Sequence, residues 1–173
     1  MTLTKDGGRP DPEAESETQD FAALDFAEMR RRRAELLESI NSLEQALATP
    51  GLQARWGEKV SAAVMELASD FNEHMEITEG SAGLYSQVLT SSPRLAFQVE
   101  RLTQEHVKLG ELMAELVTAL GKVDTATEHG EVLGDHAEVR ELGTKLLGAL
   151  ARHRQRGADM MYQAYSVDIG GQD

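Results

Sequence analysis

Apolar residues recur at intervals of three and four along most of the chain, and no stretch alternates convincingly at the strand period of two. The pattern predicts helices throughout. A first helix is expected over 21–48, with Phe26, Met29, Arg33, Leu36, Ile40, Leu43 and Leu47 on one line, stopped by Thr49-Pro50-Gly51. A second begins near Gln53 and carries Val60, Val64, Leu67, Phe71, His74 and Thr78 in register before Gly80 and Gly83 break it. The third has the cleanest repeat, Leu95, Val99, Leu102, His106, Leu109, Met113, Leu116 and Leu120, introduced by Ser91-Ser92-Pro93 as cap and first-turn proline. After a polar loop over 121–134, a fourth runs to about Tyr165 with Val139, Gly143, Leu146, Leu150, His153, Gly157, Met160 and Ala164 in line. Short connections between the first three helices favour antiparallel neighbours. The expected fold is therefore all-α, an antiparallel up-down-up-down four-helix bundle over residues 21–165. Residues 1–20 read as a disordered acidic leader and 166–173 as a flexible tail.

Composition narrows the chemistry. A length of 173 residues with 40% apolar content suits one helical core. The chain has no cysteine, which leaves no disulfide, thiolate nucleophile, iron–sulfur cluster or Cys-based zinc site. Any metal must be held by imidazole and oxygen. Seventeen basic against 30 acidic residues give a formal charge of −13, which repels phosphate backbones and anionic lipid. Neither nucleic acid nor a membrane is an expected partner; a protein partner or a homodimer is compatible with the composition. The basic run Arg30 to Arg33 reads as a solvated face plus one inward residue, Arg33. No signal-like or membrane-spanning run is visible, so a cytoplasmic location is expected.

The candidate chemistry lies in the stripes themselves. His74, His106 and His153 occupy slots on three different helices where a core residue is due. A stripe of two positions in seven would catch all three by chance only about 2% of the time. Four residues after them come Thr78, Gly110 and Gly157, none a carboxylate. Glu79, five after His74, is the acid best placed to add an oxygen ligand, while Glu111, five after His106, can equally face solvent. Three imidazoles and Glu79 can hold one divalent ion with open positions, chemistry that suits iron, zinc or manganese. The same cluster without metal is a hydrogen-bonded polar layer. His129 and His136 fall at or near a helix start and are expected to be exposed. Trp56 is expected to anchor the end of the first helix, and Tyr162 and Tyr165 to close the bundle mouth.

The segments LASDFNEHMEITEGSAGLY (67–85), VERLTQEHVKLGELMAELVTAL (99–120) and VRELGTKLLGALARHRQRGADMMY (139–162) resemble the second, third and fourth helices of hemerythrin-like, or HHE cation-binding, domains. Glu105-His106-Val107-Lys108-Leu109 matches the family's E-H-x-x-L pattern, and His74 with Glu79 and Leu84-Tyr85 partly matches its helix-borne histidine motif. The likeness spans about residues 26–163. It implies a four-helix bundle that binds non-haem iron and serves in oxygen or nitric oxide binding, redox sensing or metal handling. The ligand set it implies is reduced here. The family's first-helix histidine falls near Arg33, whose guanidinium stays protonated and cannot ligate. Thr78 stands where the first glutamate of a pair is due, and Gly157 and Ala158 replace both acids on the last helix. Two irons need bridging carboxylates, so the resemblance points to one ion and not to a standard di-iron centre.

Three readings follow. The chain is a metal-binding protein with a mononuclear site at His74, His106, His153 and Glu79; or a metal-free bundle with a buried Arg33–Glu79 pair, acting as a scaffold or interaction module; or a metal-free catalyst using a histidine base and Arg33. The last lacks an activated nucleophile and a phosphate-cradling loop, and enzymatic activity is not expected.

Overall fold

The three-and-four spacing of apolar residues becomes four long helices whose buried faces coincide with the predicted stripes. The computed structural model describes residues 12–50, 55–128 and 136–166, with side chains over 30–50, 55–123 and 136–165. In chain order the elements are α1 (Pro12–Ala48), α2 (Trp56–Glu79), α3 (Leu84–Ser91), a 3-10 turn (Pro93–Leu95), α4 (Ala96–Glu128) and α5 (His136–Ser166). Among the described residues there is no strand, and no helix is long and apolar enough to cross a membrane.

Several boundaries depart from expectation for identifiable reasons. Helix α1 begins at Pro12, well before Phe21. Proline is favoured at a first helical position. Residues 1–11 lie outside the described residues, as do 167–173 of the expected tail. Helix α4 runs through Gly121 to Glu128 where a loop was expected. Val123 explains the extension: it is buried and continues the line of Leu116 and Leu120 by one more turn. His129 lies outside the described residues. The short α3 was not anticipated; Leu84, Tyr85 and Val88 give it one buried face. Pro93 does open a first turn, but Ser92 makes no side-chain cap bond there, and the Ser91 hydroxyl instead donates to Gln87 O at 3.1 Å.

The helices pack in a closed ring, α1 on α2, α2 on α4, α4 on α5 and α5 on α1, with α3 and the 3-10 turn covering one end. At the end of α1 the join is tight. A Cβ on Gly143 would lie 2.4 Å from Leu47 Cδ1, so a larger residue there would have to displace the Leu47 side chain. Trp56 Nε1 donates to Ala46 O at 3.0 Å, which makes it the anchor its position predicts. Arg140 donates to the carbonyls of Leu47 and Thr49 while its guanidinium lies 4.9 Å from the Trp56 ring centroid. Those bonds satisfy carbonyls that a helix end leaves open. His136, expected to be exposed, is half-buried with its ring 4.7 Å from that of Trp56.

Buried side chains divide into two clusters. The larger includes Leu43, Leu67, Phe71, Leu116 and Leu150; the smaller joins Tyr85, Leu95, Leu102 and Met160 under α3. The boundary between them passes through His74, His106 and His153. On α4, for example, Leu102 belongs to one cluster, Leu109 to the other, and His106 sits between.

Candidate metal centre

Helical registry brings the three histidines to one point. One ring nitrogen from each lies within 4.8 Å of the others. His106 is 1% exposed and His153 4%, while His74 is half-buried at the edge of the group. His106 Nε2 is 3.1 Å from His153 Nε2, and His153 Nε2 is 3.5 Å from His74 Nε2. Metal–nitrogen bonds of ~2.0–2.1 Å place adjacent nitrogens roughly 3 Å apart at right angles and roughly 3.4 Å apart in a tetrahedron. The two spacings about His153 match that geometry.

The far side of two rings settles which nitrogen carries the proton. His106 Nδ1 faces Glu79 Oε1, and His153 Nδ1 lies 3.2 Å from Glu105 Oε2. An ionised carboxylate only accepts, so both Nδ1 atoms carry a hydrogen, and in the neutral rings both Nε2 atoms present lone pairs. Two lone pairs then face one another at 3.1 Å. Even if His74 donates from its Nε2, that single hydrogen cannot separate the other two nitrogens. A hydrogen or a metal ion between the two nitrogens satisfies the contact.

On His74 and His153 an added proton is disfavoured. Burial first, then the neighbouring His106, His153 and Arg33, lower the His74 pKa from 6.5 to about 3. Burial and His106 likewise lower His153 to about 4, with Glu105 opposing the shift only in part. Desolvation penalises the charged ring in both cases.

Glu105 is itself held in place. Arg156 Nη1 donates to its Oε1 at 2.5 Å and Arg101 Nε reaches the same oxygen at 3.4 Å. Glu79 ends α2, where the Gly80 N–H closes onto Glu76 O at 3.0 Å. A Cβ on Gly80 would lie 2.5 Å from that same carbonyl, so the turn that leads from Glu79 into α3 depends on glycine. The EGSAG run is thus the helix stop its position implies. Around the rings, Tyr85 stacks on His106 with centroids 5.9 Å apart and planes 12° apart, and Phe71 meets His106 edge-on at 5.5 Å. Burial, then the Glu79 charge, pushes the Tyr85 phenol above its usual range, so it stays protonated.

Several expected roles change. Glu79 stands behind His106, bonded to its outer nitrogen, and orients the ring; it is not a member of the converging ligand set. Glu111 is exposed, because five residues from His106 carries it round to the outer face of α4. Thr78 is buried, but its hydroxyl donates back to His74 O at 2.8 Å. Arg33 is exposed and makes no ion pair with any described residue, so a buried Arg33–Glu79 pair does not form. Among the described residues of α1 the first buried one is Leu36, and it is Arg32 that pairs across to Glu73 on α2. Tyr162 and Tyr165 are 75% and 53% exposed and do not close the bundle mouth.

Beside the cluster lies a cavity of about 570 Å³, whose wall includes His74, His153, Phe71, Leu150 and Met160, with Arg33 among its lining residues. Gly157 also lines it, and a Cβ there would meet nothing within 4 Å.

The sequence reading missed Glu105 and Tyr85. Glu105 was visible as the acid beside His106, but its service to His153 depends on how α4 meets α5. Comparison of the chain with family models, curated proteins and solved structures finds no match in any of the three.

Proposed function

We propose that this chain is a hemerythrin-like metal-binding protein holding one divalent ion through Nε2 of His74, His106 and His153. The observation that carries the reading is the convergence of three imidazole nitrogens on one point, with His106 and His153 each backed by a carboxylate on its Nδ1. Carboxylate–histidine–metal relays of this kind fix the tautomer and raise ligand basicity. A bound ion would act as a Lewis acid or redox centre with positions left open toward the cavity. The protein's own part is to keep the rings oriented, to exclude bulk water with Phe71 and Tyr85, and to shape the space beside them.

Iron is the first candidate, from the resemblance in 67–85, 99–120 and 139–162; the three-imidazole set also suits zinc or manganese. An up-down-up-down course supports the same reading. Arg32 midway along α1 meets Glu73 late in α2, Arg140 at the start of α5 meets Leu47 at the end of α1, and Arg156 late in α5 meets Glu105 early in α4. The role is oxygen, nitric oxide or redox sensing, or metal handling, in the cytoplasm and away from nucleic acid, the last supported by a net charge of −13.

Calorimetric titration of chelator-stripped protein with Fe(II), Zn(II) and Mn(II) tests this. One equivalent should bind, and His106→Ala should abolish it. Equal binding by that variant refutes the site. A second reading, an interaction module or homodimer, draws on Phe97, 72% exposed, together with the exposed Tyr162 and Tyr165. Light scattering showing a monomer at all concentrations removes the homodimer.

A further inference from the structure

The cavity beside the histidines differs in charge from the rest of the molecule. The chain carries a net −13, yet the described lining residues include Arg33 and Arg154 and no carboxylate. Its body is aliphatic, with Leu36, Leu37, Leu150 and Met160 among the walls, and its inner wall is His74 and His153. A volume of about 570 Å³ falls in the range of small-molecule sites and far exceeds what a diatomic gas fills. Gly157 leaves part of that space open, because a side chain there would meet no neighbour.

We propose that the cavity binds an aliphatic monocarboxylate, its anionic head at the open face of the histidine-bound ion and its alkyl body along Leu150 and Met160. This rests on the metal reading above. The head replaces solvent at the ion, Arg33 adds a favourable field without a direct bond, and the body gains from leaving water at roughly fourfold in affinity per buried methylene.

The test uses the full chain loaded with Co(II), whose visible absorption reports its ligands. Titration with octanoate should shift the cobalt bands saturably, with hexanoate and butanoate successively weaker. Octan-1-ol, which has the same body and no charge, should leave the bands unmoved. Gly157→Leu fills the open space at a position where the helix tolerates a side chain. It should retain cobalt and weaken octanoate roughly fifteenfold, the worth of about two displaced methylenes. Arg33→Gln should weaken every acid by a similar few-fold factor. Cobalt-loaded protein that does not respond to octanoate, responds equally to octanol, or binds octanoate undiminished after Gly157→Leu overturns this proposal alone. Failure to load cobalt overturns the metal reading and this one with it.

Discussion

Glu105→Gln removes one negative charge from behind His153 and leaves the side-chain shape nearly intact. The carboxylate is 15% exposed and accepts from His153 Nδ1 at 3.2 Å, so its charge is weakly screened where it acts. Outer-sphere substitutions of this kind cost 10–100-fold in metal affinity as a rule of thumb, about 1.4–2.7 kcal/mol. The glutamine can still accept one bond from Nδ1, and a neutral acceptor is worth roughly half a charged one. The lower end, about tenfold, is therefore expected. Glu79→Gln should cost less, because Glu79 is 35% exposed and its charge is better screened. The assay is competition for Zn(II) against a chromophoric chelator, with urea denaturation run with and without metal. In metal-free protein Glu105→Gln should cost only about 1 kcal/mol, the worth of a hydrogen bond weakened. An unchanged zinc affinity, with equal stability loss in both states, would show that Glu105 serves a polar layer and not a metal.

Other consequences can be checked independently. His74 and His153 titrate in the native state at about 3 and 4, below the unfolded value of 6.5. Between those limits the unfolded chain binds more protons, so metal-free stability is full above about pH 6.5 and falls as the pH drops through the window. Glu79, Glu105, Arg33, Arg156 and His106 surround the pair, and urea midpoints in chelator at several pH values should trace that fall; a flat profile contradicts the burial argument. Phe71→Ala, at a position 1% exposed between the large core and the rings, should cost about 3–5 kcal/mol in denaturant melts. Arg140→Ala leaves the α1 carbonyls of Leu47 and Thr49 without their donor and should cost about 1–3 kcal/mol by the same measurement. Arg33→Met, on the exposed face, should change stability by no more than about 0.5 kcal/mol; a loss of several would show that Arg33 is buried after all.

Much of the helical architecture can be read from the sequence, because burial follows a period that the apolar residues print directly. Leu43, Leu67, Leu116 and Leu146, all on predicted stripes, are fully buried. The three histidines could be found for the same reason: each replaces a core residue in an otherwise apolar line. What surrounds them was harder to see. Glu79 looked like a ligand by spacing, but the chain turns at Gly80 and leaves its carboxylate on the outer nitrogen of His106. Arg33 falls on the α1 stripe by arithmetic, yet its side chain is exposed while Leu36, three residues on, is buried. Glu105 bonds a residue 48 positions away, which no local pattern encodes. Helix α3 is eight residues long, and a single turn or two of apolar spacing is too short to separate from a loop.

The central claim is that the three imidazoles hold an ion. Elemental analysis of untagged protein, purified without chelator, tests it most directly, since a histidine tag would add its own metal. The account predicts close to one divalent ion per chain in the parent and none in His153→Ala. Parent protein that carries no metal and takes up no Fe(II), Zn(II) or Mn(II) when offered would contradict it.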